Sequence, residues 1–244
     1  MGLFKKTVVT PAQTSEPVKA SKMVDLRKIA KVSLAKNGLE VDGGGGLAVY
    51  LVLDHSLSMK PFYANGDVQR ITEQVLALSA EIDSDGQVPV FYFGSDVELP
   101  EIVSISDCAG WVDRTHTAVR WGATNYVAAM DAVVRYHESY GGGVPALVIF
   151  QTDGSPYMGA LVDAVAETKK KMIELSPKKV FFAFVGFGPK RNVQFLFELD
   201  EIPGRVRDNA SAFHAENPRR TKDSDLYDGV LGEFTSEWLP QVLG

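Results

Sequence analysis

The chain has 244 residues, 45% of them apolar, with a formal net charge of -6 and a pI near 5.3. That is enough apolar material for one large α/β domain, and the negative field excludes nucleic acid and anionic lipid as general partners. Cys108 is the only cysteine, so neither an intramolecular disulfide nor a cysteine-based zinc cluster can form, and the cytoplasm is the expected compartment.

Residues 1–22 are polar and proline-punctuated (Lys5, Lys6, Thr10, Pro11, Thr14, Pro17, Lys19) and predict a flexible tail. Met1 to Pro17 lacks the apolar core of a signal peptide, and no apolar run approaches the roughly eighteen residues of a membrane span, so no membrane insertion is expected. Gly2 follows Met1, but Lys6 stands where a myristoylation signal wants Ser or Thr. From Val24 to Leu39 the apolar residues Leu26, Ile29, Ala30 and Leu34 recur at helical spacing until Asn37-Gly38 stops them. Residues 23–44 are therefore expected to dock on the main domain or recruit a partner, with Gly43 to Gly46 as a flexible joint. Residues 45–243 form the predicted main domain.

Within it, Ala48–Leu53 is a continuous apolar run, expected of a strand covered on both faces, and Val68–Ile82 carries Ile71, Val75, Leu76, Leu78 and Ile82 in helical register. Val88–Phe93 reads as a second strand and Val97–Val103 as an antiparallel edge strand, because Gly94-Ser95-Asp96 leaves no room for a crossover helix. A helix from Thr124 to Tyr140, ended by Gly141-Gly142-Gly143, precedes a buried strand at Ala146–Phe150. A helix over Leu161–Leu175, a strand over Val180–Val185, a helix over Val193–Leu199, a strand near Ala212–His214 and a helix over Asp225–Leu239 complete the pattern. This alternation predicts a doubly wound, mainly parallel sheet with helices on both faces, which binds ligands beyond the carboxyl ends of its strands.

Directly after the first strand, Asp54-His55-Ser56-Leu57-Ser58 puts a carboxylate and two hydroxyls on one tight loop. Thr152-Asp153-Gly154 follows the Ala146–Phe150 run, so Asp153 is expected at the same sheet edge, and Thr124 adds a hydroxyl at a helix start between the two. Taken singly, Asp54 or Asp153 reads equally well as a loop cap, Ser56 and Ser58 as local turn formers, and Thr124 as a helix N-cap. Together, two carboxylates and three hydroxyls make a hard oxygen set suited to Mg²⁺ first, to Mn²⁺, and admissibly to Ca²⁺.

Asp54-x-Ser56-x-Ser58, Thr124 and Thr152-Asp153-Gly154 resemble the metal-ion-dependent adhesion site of von Willebrand factor A (vWA) domains, over about residues 45–243. Tyr50-Leu51-Val52-Leu53-Asp54, Asp83 to Phe91, Trp121 to Tyr126 and the phrase Val32-Ser33-Leu34-Ala35-Lys36-Asn37-Gly38 further resemble bacterial proteins of tellurium-resistance and stress-response (Ter) systems. The resemblance implies a non-catalytic protein-binding module, with other Ter-system proteins among its partners. By the same resemblance Ser56, Ser58 and Thr124 touch the ion, Asp54 and Asp153 hold it largely through water, and a partner's carboxylate fills an open position. His55 and Leu57 depart from the small residues common at those positions and are expected to alter access to the ion.

The enzymatic alternative is a Mg²⁺-dependent phosphatase or phosphotransferase using Asp54 as nucleophile, but Ser56 stands where it needs a second Asp. A third class is a scaffold whose ion only ties loops together. His55, His116, His137 and His214 share no metal-ligand spacing and read as packing or surface residues.

Overall fold

The computed structural model describes residues 16–39, 46–82 and 86–244. Residues 1–15 of the tail expected over 1–22, the glycine joint up to Gly45 and the Asp83–Asp85 stretch lie outside them. The central strand is β1 (Ala48–Asp54), whose apolar run is buried on both faces. It pairs in parallel with β2 (Gln87–Phe93) and β4 (Ala146–Thr152), and β4 continues in parallel to β5 (Val180–Phe187) and β6 (Ala210–Ala215). β3 (Glu101–Ser104) runs antiparallel to β2 at one edge, giving the order β3-β2-β1-β4-β5-β6. This is the mainly parallel sheet with one antiparallel edge strand that the alternation predicts.

Successive residues of a strand face opposite sides of the sheet, and the two cores divide accordingly. Leu51 and Leu53 join the side chains of α1 (Glu16–Lys36), α3 (Asp67–Ile82) and α8 (Asp223–Glu233). Tyr50 and Val52 join those of α5 (Tyr126–Tyr140), α6 (Ala164–Leu175) and α7 (Lys190–Asp200). Short helices α2 (Lys60–Ala64) and α4 (Trp111–Thr115), which no periodicity signals, follow the Asp54 loop and β3, and a π-helical turn at Phe234–Trp238 joins α8 to α9 (Leu239–Leu243).

α1 buries Leu26, Ala30 and Leu34 against α3 and α8. Its basic side chains meet the acidic domain: Lys22 pairs with Glu73, Arg27 with Glu81 at 2.6 Å and Lys36 with Asp228. The helix ends where Gly38 takes a left-handed φ of +74°, so that Leu39 N–H reaches Leu34 O at 2.9 Å. It starts at Glu16, not near Val24, so residues 16–22 are helical rather than tail; Pro17 fits a first helical turn, whose N–H groups have no intrahelical partner.

Other expected boundaries move too, among them the following three. β3 begins only at Glu101, since Pro100 has no N–H to donate and Val97 makes just an isolated bridge to Phe93. α6 starts at Ala164, where the Asp163 side chain accepts from Ala166 N–H at 3.0 Å, leaving Leu161 fully exposed ahead of it. α5 starts at Tyr126, two residues after Thr124.

Candidate functional site

Leu53 of β1 stands opposite Gln151 of β4, so Asp54 and Thr152-Asp153 leave the sheet side by side. After Asp54 the chain folds into a tight turn at Leu57–Met59, with Met59 N–H on Ser56 O at 3.0 Å. Asp54 is completely buried, and both of its oxygens are engaged: Oδ1 accepts from Ser56 N–H at 2.7 Å and Oδ2 from the Thr152 hydroxyl at 2.6 Å. Ser56 Oγ lies 3.2 Å from Ser58 Oγ, which donates to Asp153 Oδ1 at 2.8 Å. Asp54, Ser56, Ser58 and Asp153 thus form one connected group that reaches solvent at exposed Ser58.

Thr124 arrives on a third loop, stitched to the other two by backbone bonds. Gly122 N–H reaches His55 O at 3.2 Å and Leu57 N–H reaches Gly122 O at 3.3 Å, while Thr124 and Tyr157 exchange bonds of 3.0 and 2.9 Å. Only glycine fits at 122, where a Cβ would stand 2.4 Å from Ser95 N. The capping role left open for Thr124 falls to Asn125, whose side chain accepts from Ala128 N–H at 3.1 Å. The Thr124 hydroxyl has no hydrogen-bond partner among the described residues, although Thr124 is only 9% exposed.

Burial is the largest influence on the Asp54 carboxyl and pushes it up to about 7, even though the bonds from Thr152 and Ser56 pull it down. Asp153 is raised as well, again chiefly by burial. A dication beside them would stabilise the ionised carboxylates that burial disfavours. Among the described residues no three of His, Cys, Asp and Glu gather as a metal-binding group, so a cation at this edge depends on hydroxyl ligands. Ser56, Ser58 and Thr124 with the two carboxylates fit a hard cation that keeps some of its water. Asp54, Ser56, Ser58, Thr124 and Asp153 would hold it, and its chemistry there is electrostatic attraction for a further oxygen ligand.

Three supporting roles escape sequence reasoning. Thr152 locks Asp54; the Tyr126 hydroxyl lies 3.0 Å from Thr152 Oγ1 and 2.5 Å from Gly154 O; Tyr63 donates to Asp54 O at 2.9 Å. Only Thr152 carries a usable signal, as a hydroxyl ending a strand that neighbours β1. The expectation that His55 alters access to the ion is corrected. Its ring turns into the protein and stacks on Trp121 at 3.7 Å, with Nδ1 3.3 Å from Arg120 O and burial holding the imidazole down to about 4. Leu57, 61% exposed, is the departure that faces outward.

The model of the vWA-TerF-like family, described as the vWA found in TerF C terminus, matches residues 46–242. The chain belongs to this family. All five candidate ligands fall inside the vWA-TerF-like region, whereas α1 precedes it. The uncharacterized protein YcbR of Bacillus subtilis (strain 168) is 35% identical over 200 residues, 80% of this chain and 78% of that protein. Among solved structures, proximal thread matrix protein 1 (PTMP1) of the mussel byssus in its crystal form 2 aligns with a TM-score of 0.54 at 17% identity, over 76% of this chain and 47% of that one. A second PTMP1 structure aligns with a TM-score of 0.50 at 16% identity, over 76% and 46% of the two chains. The vWA-TerF-like chain thus spans about half the length of PTMP1, with which it shares the fold.

Proposed function

We propose that this vWA-TerF-like protein is a metal-dependent protein-binding module. Asp54, Ser56, Ser58, Thr124 and Asp153 hold Mg²⁺, with Mn²⁺ and Ca²⁺ as admissible substitutes, and a carboxylate of a partner protein completes the shell. The setting is a bacterial tellurium-resistance or stress-response system in which other Ter proteins are the partners. The observation that carries this is the Asp54 carboxylate, fully buried with both oxygens engaged and joined through Ser56 and Ser58 to Asp153. A nucleophilic Asp needs a free oxygen facing substrate, so the same bonds favour ion holding over phosphoryl transfer. A purely structural ion leaves Thr124 without a task, since its helix is capped by Asn125.

The test is calorimetry with Mg²⁺ on the full chain, followed by capture of lysate proteins in Mg²⁺ and in chelator. Magnesium binding that Asp54→Ala abolishes, with capture only in Mg²⁺, is the expected result. Capture indifferent to chelator, or Mg²⁺-dependent release of phosphate from a generic ester, overturns the proposal.

A further inference from the structure

The sheet ends at β3 on one side and at β6 on the other, and the β3 edge carries exposed apolar side chains. Leu99 is 90% exposed, Ile102 51% and Tyr140 75%. Pro89, Ile102, Tyr136 and Tyr140 line one open cleft of about 410 Å³, so Tyr140 of α5 stands beside Ile102 of β3.

Which backbone groups this edge offers follows from the pairing of β2. Glu98 N–H reaches Tyr92 O at 2.9 Å, on the β3 side, whereas His55 N–H reaches Phe93 O at 2.7 Å, on the β1 side. In a strand the N–H and C=O of one residue point the same way and those of the next residue point oppositely, so Val88 and Val90 also face β3. Their partners there are Val103 and Glu101. Glu101 and Val103 therefore direct their backbone groups to β2, and Ile102 and Ser104 turn theirs outward. Two features limit this outward row: Pro100 has no N–H, and Ser104 O already accepts from Asp107 N–H at 3.1 Å. Against an arbitrary strand both blunt the edge, because a residue opposite Pro100 would present a carbonyl that finds no donor.

Against a second copy the same features match. We propose that two copies of the chain pair antiparallel through β3, with Ile102 opposite Ile102 at a twofold axis, and join their sheets into one. In this register Ser104 of each copy faces Pro100 of the other. The two Ile102 exchange a pair of backbone bonds across the axis, and each Ser104 N–H donates to a Pro100 carbonyl. The donor that Pro100 lacks is one that Ser104 O, held by Asp107, does not require. The Ile102 side chains meet between the two Tyr140 rings, and Glu101 faces Val103 in place of a second carboxylate. The two Glu101 are diagonal neighbours, so association is expected to tighten as salt rises. This surface is independent of the ion-site reading.

The test is sedimentation velocity of the full chain from micromolar to millimolar concentration, with Ile102→Glu and Ile102→Lys run alone and mixed. The unsubstituted chain is expected to form dimers and nothing larger. Ile102 is half exposed and its outward backbone groups bond nothing within one copy, so both variants should keep the melting temperature. Each alone should associate at least about tenfold more weakly, because like charges meet at the axis. Their equimolar mixture should dimerise again, since this register sets residue 102 against residue 102. A chain that is monomeric at millimolar concentration overturns the proposal, as does Ile102→Glu that dimerises like the unsubstituted chain. A mixture of the two folded variants that stays monomeric overturns the register and the proposal with it. Assembly beyond the dimer overturns the twofold pairing in favour of a head-to-tail contact.

Discussion

Asp54 is a buried acid whose folded-state value near 7 lies well above its ordinary 3.8. The folded state therefore holds a proton that the unfolded chain has released, and metal-free stability should fall as pH rises from about 4 to about 7. Denaturant melts in chelator across that window test this, and Asp54→Asn should flatten the slope and lose the Mg²⁺-induced rise in melting temperature. Thr152→Val removes the hydroxyl from Asp54 Oδ2 and is expected to cost about 1–3 kcal/mol in chelator, read by urea titration. Thr124→Val should leave much of the Mg²⁺ affinity while weakening a carboxylate partner by about 1.5–3 kcal/mol, because it deletes one neutral ligand and no charge. Calorimetry of the two steps separates them; a proportional loss in both refutes the division of labour. That Asp54, Ser56, Ser58 and Asp153 meet at one sheet edge was legible because they close or follow neighbouring strands, whereas Thr124, expected at a helix start, stands two residues ahead of α5. Tyr63 and Tyr126 were not, since a phenol reaching back from a helix leaves no spacing to read.

At the scale of elements, the paired strands were the most legible, because an apolar run has few other uses. Their ends were less so. Pro100 shortens β3 through a missing donor, and Asp163 starts α6 through a side-chain bond that hydrophobic periodicity does not register. The buried face of α1 was visible at Leu26, Ala30 and Leu34, but its ion pairs with Glu73, Glu81 and Asp228 join residues far apart in sequence. Deleting residues 16–39 should uncover apolar surface on α3 and α8, and each of Leu26 and Leu34 contributes roughly 1.5–3 kcal/mol through burial. The truncated chain is expected to melt lower and to bind a hydrophobic dye. An unchanged melt would show that α1 adds no stability. A subtler change with a similar direction is Gly229→Ala in α8, whose new Cβ would sit 2.3 Å from the Phe213 ring of β6; the ring must shift, so a lower melting temperature with Mg²⁺ affinity intact is expected.

The molecule as a whole places its earliest strand in the middle of its sheet, with β2 on one side and β4 on the other. On the ribosome, β1 emerges before either neighbour, and β4 follows only after α3, β2, β3, α4 and α5 have left the exit tunnel. Until then one hydrophobic edge of β1 is unsatisfied, the condition that recruits chaperones and invites aggregation. Nascent chains stalled before Ala146 should be readily cleaved by protease, and those stalled beyond Ala215 protected. The same schedule governs the proposed cation site: Asp54 is translated early but gains Thr152 and Asp153 only when β4 inserts, so the site is assembled late in the protein's own synthesis.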